Sequence, residues 1–240
     1  MVGFNILLKK VTMQQSVKDR FGVIFDIDGV LLNSYKLHYE CWRAIAEKHG
    51  IALSERDFDP LFGRRGSEIV REIWGGDLPP EQVVSIHQRK QAQYRENLQQ
   101  NFPLMEGAIE LIDGLVAKGF VLGIGSSAPP ENVALSLRGL ARTNSFAAVV
   151  TGNDVTLGKP NPEVFLLAAQ RMGIEPSDCA VIEDAPAGIA AALAGGMTAI
   201  ALAGTAPPES LTEAHLVVTS LRQLSPMRIS ELILSRRHRG

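Results

Sequence analysis

Cysteine is scarce in this chain. Cys41 and Cys179 are the only two among 240 residues and share no metal-ligand spacing, so neither a disulfide framework nor a thiolate metal site is expected. That usage predicts a reducing, cytoplasmic location. An excess of one charge is missing as well. With 24 basic against 26 acidic residues the formal charge is −2, which supplies no field to gather nucleic acid or an anionic membrane. The basic cluster Arg236, Arg237, His238 and Arg239 lies in the last residues and reads as a frayed tail. A membrane span is lacking too. The uncharged run 185–208 is mostly Ala and Gly, broken by Gly195-Gly196, and reads as a short helix, a turn and a buried strand. The opening MVGFNILLKK puts its charges after a short apolar run and has no small-residue cleavage site, so it is not read as a signal peptide.

What is present describes a globular protein. Apolar residues make up 45%, enough for a core that needs neither disulfides nor a structural metal. Apolar runs at 21–27, 120–124, 179–182 and 197–202 read as buried parallel strands, with weaker ones at 146–150 and 216–218. Helical patterns at 106–118, 129–140, 162–172 and 185–194 lie between most of them, several stopping at glycine. That alternation predicts an α/β fold with a doubly wound parallel sheet. Residues 34–103 break the rhythm, with no strand and helix signals at 35–49, 67–74 and 80–100, plus a Ser54/Asp57 capping pattern. An insertion of that size predicts an all-helical subdomain. The expected organisation is an extension at 1–19, a core at 20–33 and 104–225, the helical insert at 34–103, and a tail at 226–240.

The chemistry begins at FDIDGV, where Asp26 and Asp28 interrupt an otherwise apolar strand. Ionised carboxylates there need a cation or an open strand end. An EF-hand is excluded because Gly29 falls at the fourth loop position, not the sixth. Other strand ends add Glu183 and Asp184, Ser126 and Ser127, and Lys159 precedes a helix. In an open parallel sheet these carboxyl ends share one crevice. An oxygen-only acidic set suits Mg²⁺, with Lys159 and Ser126 left for phosphoryl oxygens. Two glycine patterns point elsewhere. Residues 152–159 have the wrong spacing for a P-loop, and Pro160 replaces its Ser or Thr. Residues 123–128 fit a dinucleotide fingerprint, which keeps a Rossmann oxidoreductase as a rival, but Pro129-Pro130 follows and the next strand end lacks an acid.

FDIDGVLLNS, GIGSSAPPEN, GKPNPEVF and VIEDAPAGIAAALAGG resemble the four ordered motifs of the haloacid dehalogenase superfamily, and the helical insert resembles the cap of its phosphatase and β-phosphoglucomutase branch. The resemblance implies an Mg²⁺-dependent phosphatase acting on a small phosphorylated metabolite. Asp26 would be the nucleophile and Asp28 the general acid/base. Asp26, Glu183 and Asp184, with the Asp28 carbonyl, would hold Mg²⁺, while Ser126, Ser127 and Lys159 would bind phosphate. His38 matches a cap histidine of the mutase branch, and is equally read as an ordinary helix-surface imidazole. Lys90 matches a cap lysine, or belongs to a solvated helix face. Gly66 stands where mutases carry a cap arginine, with Arg64 and Arg65 near enough to substitute, and Ala128-Pro129 replaces a mutase Ser-Lys pair. Asn33 stands for the commoner Asp. That change bears on helix capping more than on mechanism, whereas the departures at Gly66 and at Ala128-Pro129 favour a phosphatase over a β-phosphoglucomutase-like transferase; a binding protein that has lost the chemistry is the further alternative.

Overall fold

A computed structural model describes residues 20–237; the expected 1–19 extension, His238 and Arg239 lie outside the described residues. Strands β1 (Gly22–Phe25), β2 (Val121–Gly125), β3 (Phe146–Val150), β4 (Cys179–Glu183), β5 (Thr198–Leu202) and β6 (Leu216–Val218) form one sheet in the order β3-β2-β1-β4-β5-β6. Every pairing is parallel. Alternation along β1 explains why both faces are covered: Val23 and Phe25 enter one apolar cluster and Ile24 enters the other. All three are fully buried, each contributing about 1.5–3 kcal/mol relative to exposure.

Between β1 and β2 the chain is helical: α1 (Tyr35–Lys48), α2 (Glu55–Phe58), α3 (Gly66–Trp74) and α4 (Pro80–Gln100), followed by α5 (Ala108–Ala117). Ser54 and Asp57 close a reciprocal capping box on α2. Residues of the first four helices build a separate apolar cluster around Trp42, Phe58, Val70 and Ile86. Helix α4 is not polar all round: Val83, Ile86, Tyr94 and Leu98 are buried, and so is Lys90. The remaining helices are α6 (Pro130–Leu140), α7 (Glu163–Met172), α8 (Pro186–Ala194) and α9 (Pro226–Arg237). Helices α5, α6 and α9 cover one sheet face, and α7 and α8 the other.

Residues 226–237 correct the expectation of a tail. They form α9, whose Ile229 and Ile233 are fully buried in the main core, and Arg237 pairs with Asp178 while its guanidinium lies 5.5 Å from the Phe21 ring centroid. Ile229 and Ile233 stand four apart, so one helical face seats both. No helix among the described residues is long and apolar enough to cross a membrane.

Candidate active site

The order of strands reverses direction around β1, which is flanked by β2 and β4. Carboxyl ends of these three strands meet there, at the position where open α/β sheets bind ligands. Asp26 follows β1, Ser126 follows β2, and Glu183 ends β4 with Asp184 next. Asp26, Glu183 and Asp184 are all buried, and one oxygen of each falls within 4.8 Å of the others. Lys159 enters from the loop before α7, its ammonium 2.6 Å from both Asp26 Oδ1 and Glu183 Oε1.

Three carboxylates and one ammonium leave the cluster short of positive charge. Burial, reinforced by Glu183 and Asp28 and opposed by Lys159, raises Asp26 to about 7. Asp184 is also pushed well above the usual range, first by burial and then by its acidic neighbours. Burial alone would lower the Lys159 pKa, but Asp26 and Glu183 outweigh it and keep the ammonium charged. The three acids are not equally engaged. Glu183 Oε2 accepts the Asp184 and Ala185 amides, both at 2.7 Å, whereas Asp184 Oδ2 is buried without a hydrogen-bond partner. A Cβ on Gly29 would sit 1.8 Å from that orphan oxygen, and Gly29 has φ +80°, so two constraints fix glycine in the turn after β1. An orphan carboxylate oxygen in an all-oxygen acidic cluster fits a hard divalent cation such as Mg²⁺.

Asp28 lies apart from this cluster and faces the helical insert. Its Oδ1 accepts from Ser34 Oγ at 2.7 Å, His38 Nε2 at 3.0 Å and Tyr94 Oη at 3.0 Å. Behind His38, the Lys90 ammonium lies 2.6 Å from Nδ1. An ammonium only donates, so Nδ1 accepts and the Nε2–H points at Asp28. Burial would raise the Asp28 pKa, but His38, Ser34 and Lys90 outweigh it and hold the carboxyl well below the usual range. Lys90, only 1% exposed, also lies over the rings of Trp42 and Tyr94, and burial drops its pKa to about 8. His38 and Lys90 are therefore neither a surface imidazole nor part of a solvated face.

All of these groups but Ser34 and Tyr94 line a cavity of about 250 Å³ between the sheet edge and the insert. Ser127, Arg64 and Arg65 line it too. Ser126 Oγ accepts the Ala128 amide at 3.1 Å. Arg64 is held by Glu68 and Glu72 on the insert, while Arg65 donates to the Thr156 carbonyl across the cavity mouth at 3.0 Å. Sequence reasoning overlooked Ser34 and Tyr94. Tyr94 had a usable signal, since it stands four residues after Lys90 and shares its helix face.

Residues 22–196 match the family model for haloacid dehalogenase-like hydrolases. With that match the chain belongs to this hydrolase family, in its phosphatase and β-phosphoglucomutase branch. Among particular relatives, it is 31% identical to hexitol phosphatase A of Escherichia coli (strain K12) over 206 residues, 85% of this chain and 93% of that protein. It is 32% identical to β-phosphoglucomutase of Bacillus subtilis (strain 168) over 210 residues, 85% of this chain and 91% of that one. The crystal structure of a Clostridium difficile β-phosphoglucomutase superposes with a TM-score of 0.82 at 27% identity, covering 90% of this chain and 98% of the other.

Proposed function

We propose that this enzyme is an Mg²⁺-dependent phosphatase of small phosphate monoesters, working through an aspartyl-phosphate at Asp26. The observation that carries the reading is the meeting of Asp26, Lys159 and the orphan Asp184 oxygen beneath Asp28 in one small cavity. The cavity of about 250 Å³ has room for a small phosphate ester. Residues 34–103 act as the cap that covers it, on a core of residues 20–33 and 104–237 that includes helix α9.

An Asp26 carboxylate oxygen attacks phosphorus, and the bond from phosphorus to the ester oxygen breaks. Asp28, ionised in the free site, takes up a proton as the monoester binds and gives it to that leaving oxygen. Water then attacks phosphorus, Asp28 takes the water proton, and the bond to Asp26 breaks to release phosphate. Ser34, His38 and Tyr94 fix Asp28 through one oxygen, Oδ1, so the proton moves at Oδ2. Lys159, Ser126 and Ser127 hold phosphoryl oxygens. Asp26, Glu183, Asp184 and the Asp28 carbonyl would hold Mg²⁺, which neutralises phosphoryl and carboxylate charge when bound. Free, buried Cys41 and Cys179 support a reducing, cytoplasmic setting.

A β-phosphoglucomutase-like transferase shares the first half of this sequence and differs in what accepts the phosphoryl group. The test is phosphate release from a panel of sugar phosphates, polyol phosphates, phosphoglycolate and nucleotides, with and without Mg²⁺. Asp26→Asn should abolish release while the melting temperature is kept. Retained turnover in that variant would refute the nucleophile, and conversion of β-glucose 1-phosphate to glucose 6-phosphate with little free phosphate would reassign the enzyme as a mutase.

A further inference from the structure

Helix α4 presents two stripes. Lys90 and Tyr94 face Asp28, while His87, Gln91 and Arg95, each four residues apart, form a neighbouring stripe toward the core helix α6. A chain of hydrogen bonds runs along the second stripe. Arg95 Nη1 donates to Asn132 Oδ1 at 3.1 Å, Asn132 Nδ2 donates to Gln91 Oε1 at 2.8 Å, and Gln91 Nε2 lies 2.7 Å from His87 Nε2. A guanidinium has no acceptor, so its bond fixes which way the Asn132 amide points. That in turn orients Gln91, whose NH₂ can meet His87 only if Nε2 is bare. His87 must therefore carry its proton on Nδ1.

The outcome is a wall rich in donors. Asn132 Nδ2 and Gln91 Nε2 each keep one further N–H, and His87 keeps its Nδ1–H. All three residues line the cavity, Asn132 being 2% exposed. Burial, with Lys90 nearby, lowers His87 to about 4, so the ring is neutral at pH 7. The cations that line the cavity have other partners: Lys159 is on Asp26 and Glu183, Lys90 on His38, Arg65 on Thr156, and Arg64 on Glu68 and Glu72. Apolar side chains line the same cavity, among them Trp42, Phe58, Phe62 and Ile69. Trp42 also stacks on His87 at an interplanar angle of 11°.

Gly66 belongs to the same arrangement. A Cβ there would lie 2.1 Å from His87 Nε2, so the imidazole fills the space a side chain at position 66 would need.

We propose that His87, Gln91 and Asn132 are the specificity-determining residues of this site, reading the leaving group as an uncharged polyol whose hydroxyl oxygens accept from the strip. The carbon-bound hydrogens of that polyol pack on the apolar side chains of the cavity. The inference rests on the phosphatase reading above and adds the class of leaving group to it.

The experiment compares kcat/KM for glucitol 6-phosphate, 2-phosphoglycolate and p-nitrophenyl phosphate. The wild type should favour glucitol 6-phosphate. Asn132→Asp removes the donor at the centre of the strip, and Gln91→Leu interrupts it. Each should lower the ratio of glucitol 6-phosphate to p-nitrophenyl phosphate turnover by about tenfold or more, as expected for a lost substrate hydrogen bond. The exposed Glu131→Gln should leave that ratio where it was. A second readout follows the protons. In Asn132→Asp the carboxylate can only accept, so Gln91 turns its amide round and His87 must switch its proton to Nε2. Nitrogen-15 spectra of histidine-labelled protein should show Nδ1–H in the wild type and Nε2–H in the variant. An unmoved ratio, a wild type that prefers 2-phosphoglycolate or p-nitrophenyl phosphate, or wild-type His87 already protonated on Nε2 would overturn the proposal. Failure of the wild type to release phosphate from any of the three esters would remove the phosphatase reading and this proposal with it.

Discussion

At the residue scale, Lys90 is the side chain whose placement the physics of folding resists. Its charge is buried, and its pKa of about 8 lies below the unfolded value of 10.5. The folded state therefore binds fewer protons between those two values, and stability rises with pH across that window. Below about pH 8 the penalty of the buried ammonium is present in full. Lys90→Met should therefore raise stability at pH 7 by up to about 3 kcal/mol. It should also flatten the rise between pH 8 and 10.5 in denaturant titrations, and slow turnover roughly tenfold to hundredfold because His38 loses its orienting donor. A variant that is less stable at pH 7 would show that the lysine serves the fold instead. Sequence alone made Asp26 and Asp28 legible, because carboxylates inside an apolar strand need a reason to be there. Ser34 and Asn132 were not legible, because polar residues at helix starts and on helix faces are ordinary until a partner from a distant segment meets them, and Tyr94 was signalled only by its spacing from Lys90.

At the element scale, the turn leaving β1 is shaped by what lies above it. Gly29→Ala would force a side chain into a positive-φ position and against Asp184 Oδ2. The backbone strain alone costs about 1–2 kcal/mol. Calorimetry should show that loss, and Mg²⁺ should no longer raise the melting temperature because Asp184 is displaced. An unchanged Mg²⁺ response would mean that Asp184 does not need its observed position. Most elements could be read from the chain because apolar runs, glycine stops and proline starts coincide with strand and helix ends. Helix α4 ended where the pattern predicted, at residues 80 and 100, yet its buried lysine was hidden among polar neighbours. Helix α9 escaped because its two core isoleucines stand in a stretch rich in arginine and serine, and only the long-range contact with the sheet distinguishes it from a tail.

On the scale of the whole molecule, the crowded carboxylates predict a link between metal and stability. A cation bound by the folded state alone, at a hundredfold excess over its Kd, contributes about 2.7 kcal/mol, or about 5–10 °C in a domain of this size. Thermal melts at pH 7 in Mg²⁺ against chelator should show that rise in the wild type and lose it in Asp184→Asn. Equal melts would show that Asp26, Glu183 and Asp184 do not hold the ion. Besides the bonds of His38 and Tyr94 to Asp28, two polar bridges span cap and core, Arg65 to Thr156 and the Gln91–Asn132–Arg95 chain, while the backbone connections lie elsewhere. Asn33 N donates to the Pro103 carbonyl at 2.7 Å, Met105 N donates to the Leu31 carbonyl at 2.9 Å, and Leu32 bridges Leu104 between them. The chain thus enters and leaves the helical insert through a single doorway, whose two jambs are already fastened to each other. Such a threshold makes the insert interchangeable: an unrelated helical bundle with neighbouring ends can be spliced between residues 33 and 104 while the sheet and its carboxylates keep their register. The same catalytic floor can then serve under a different roof.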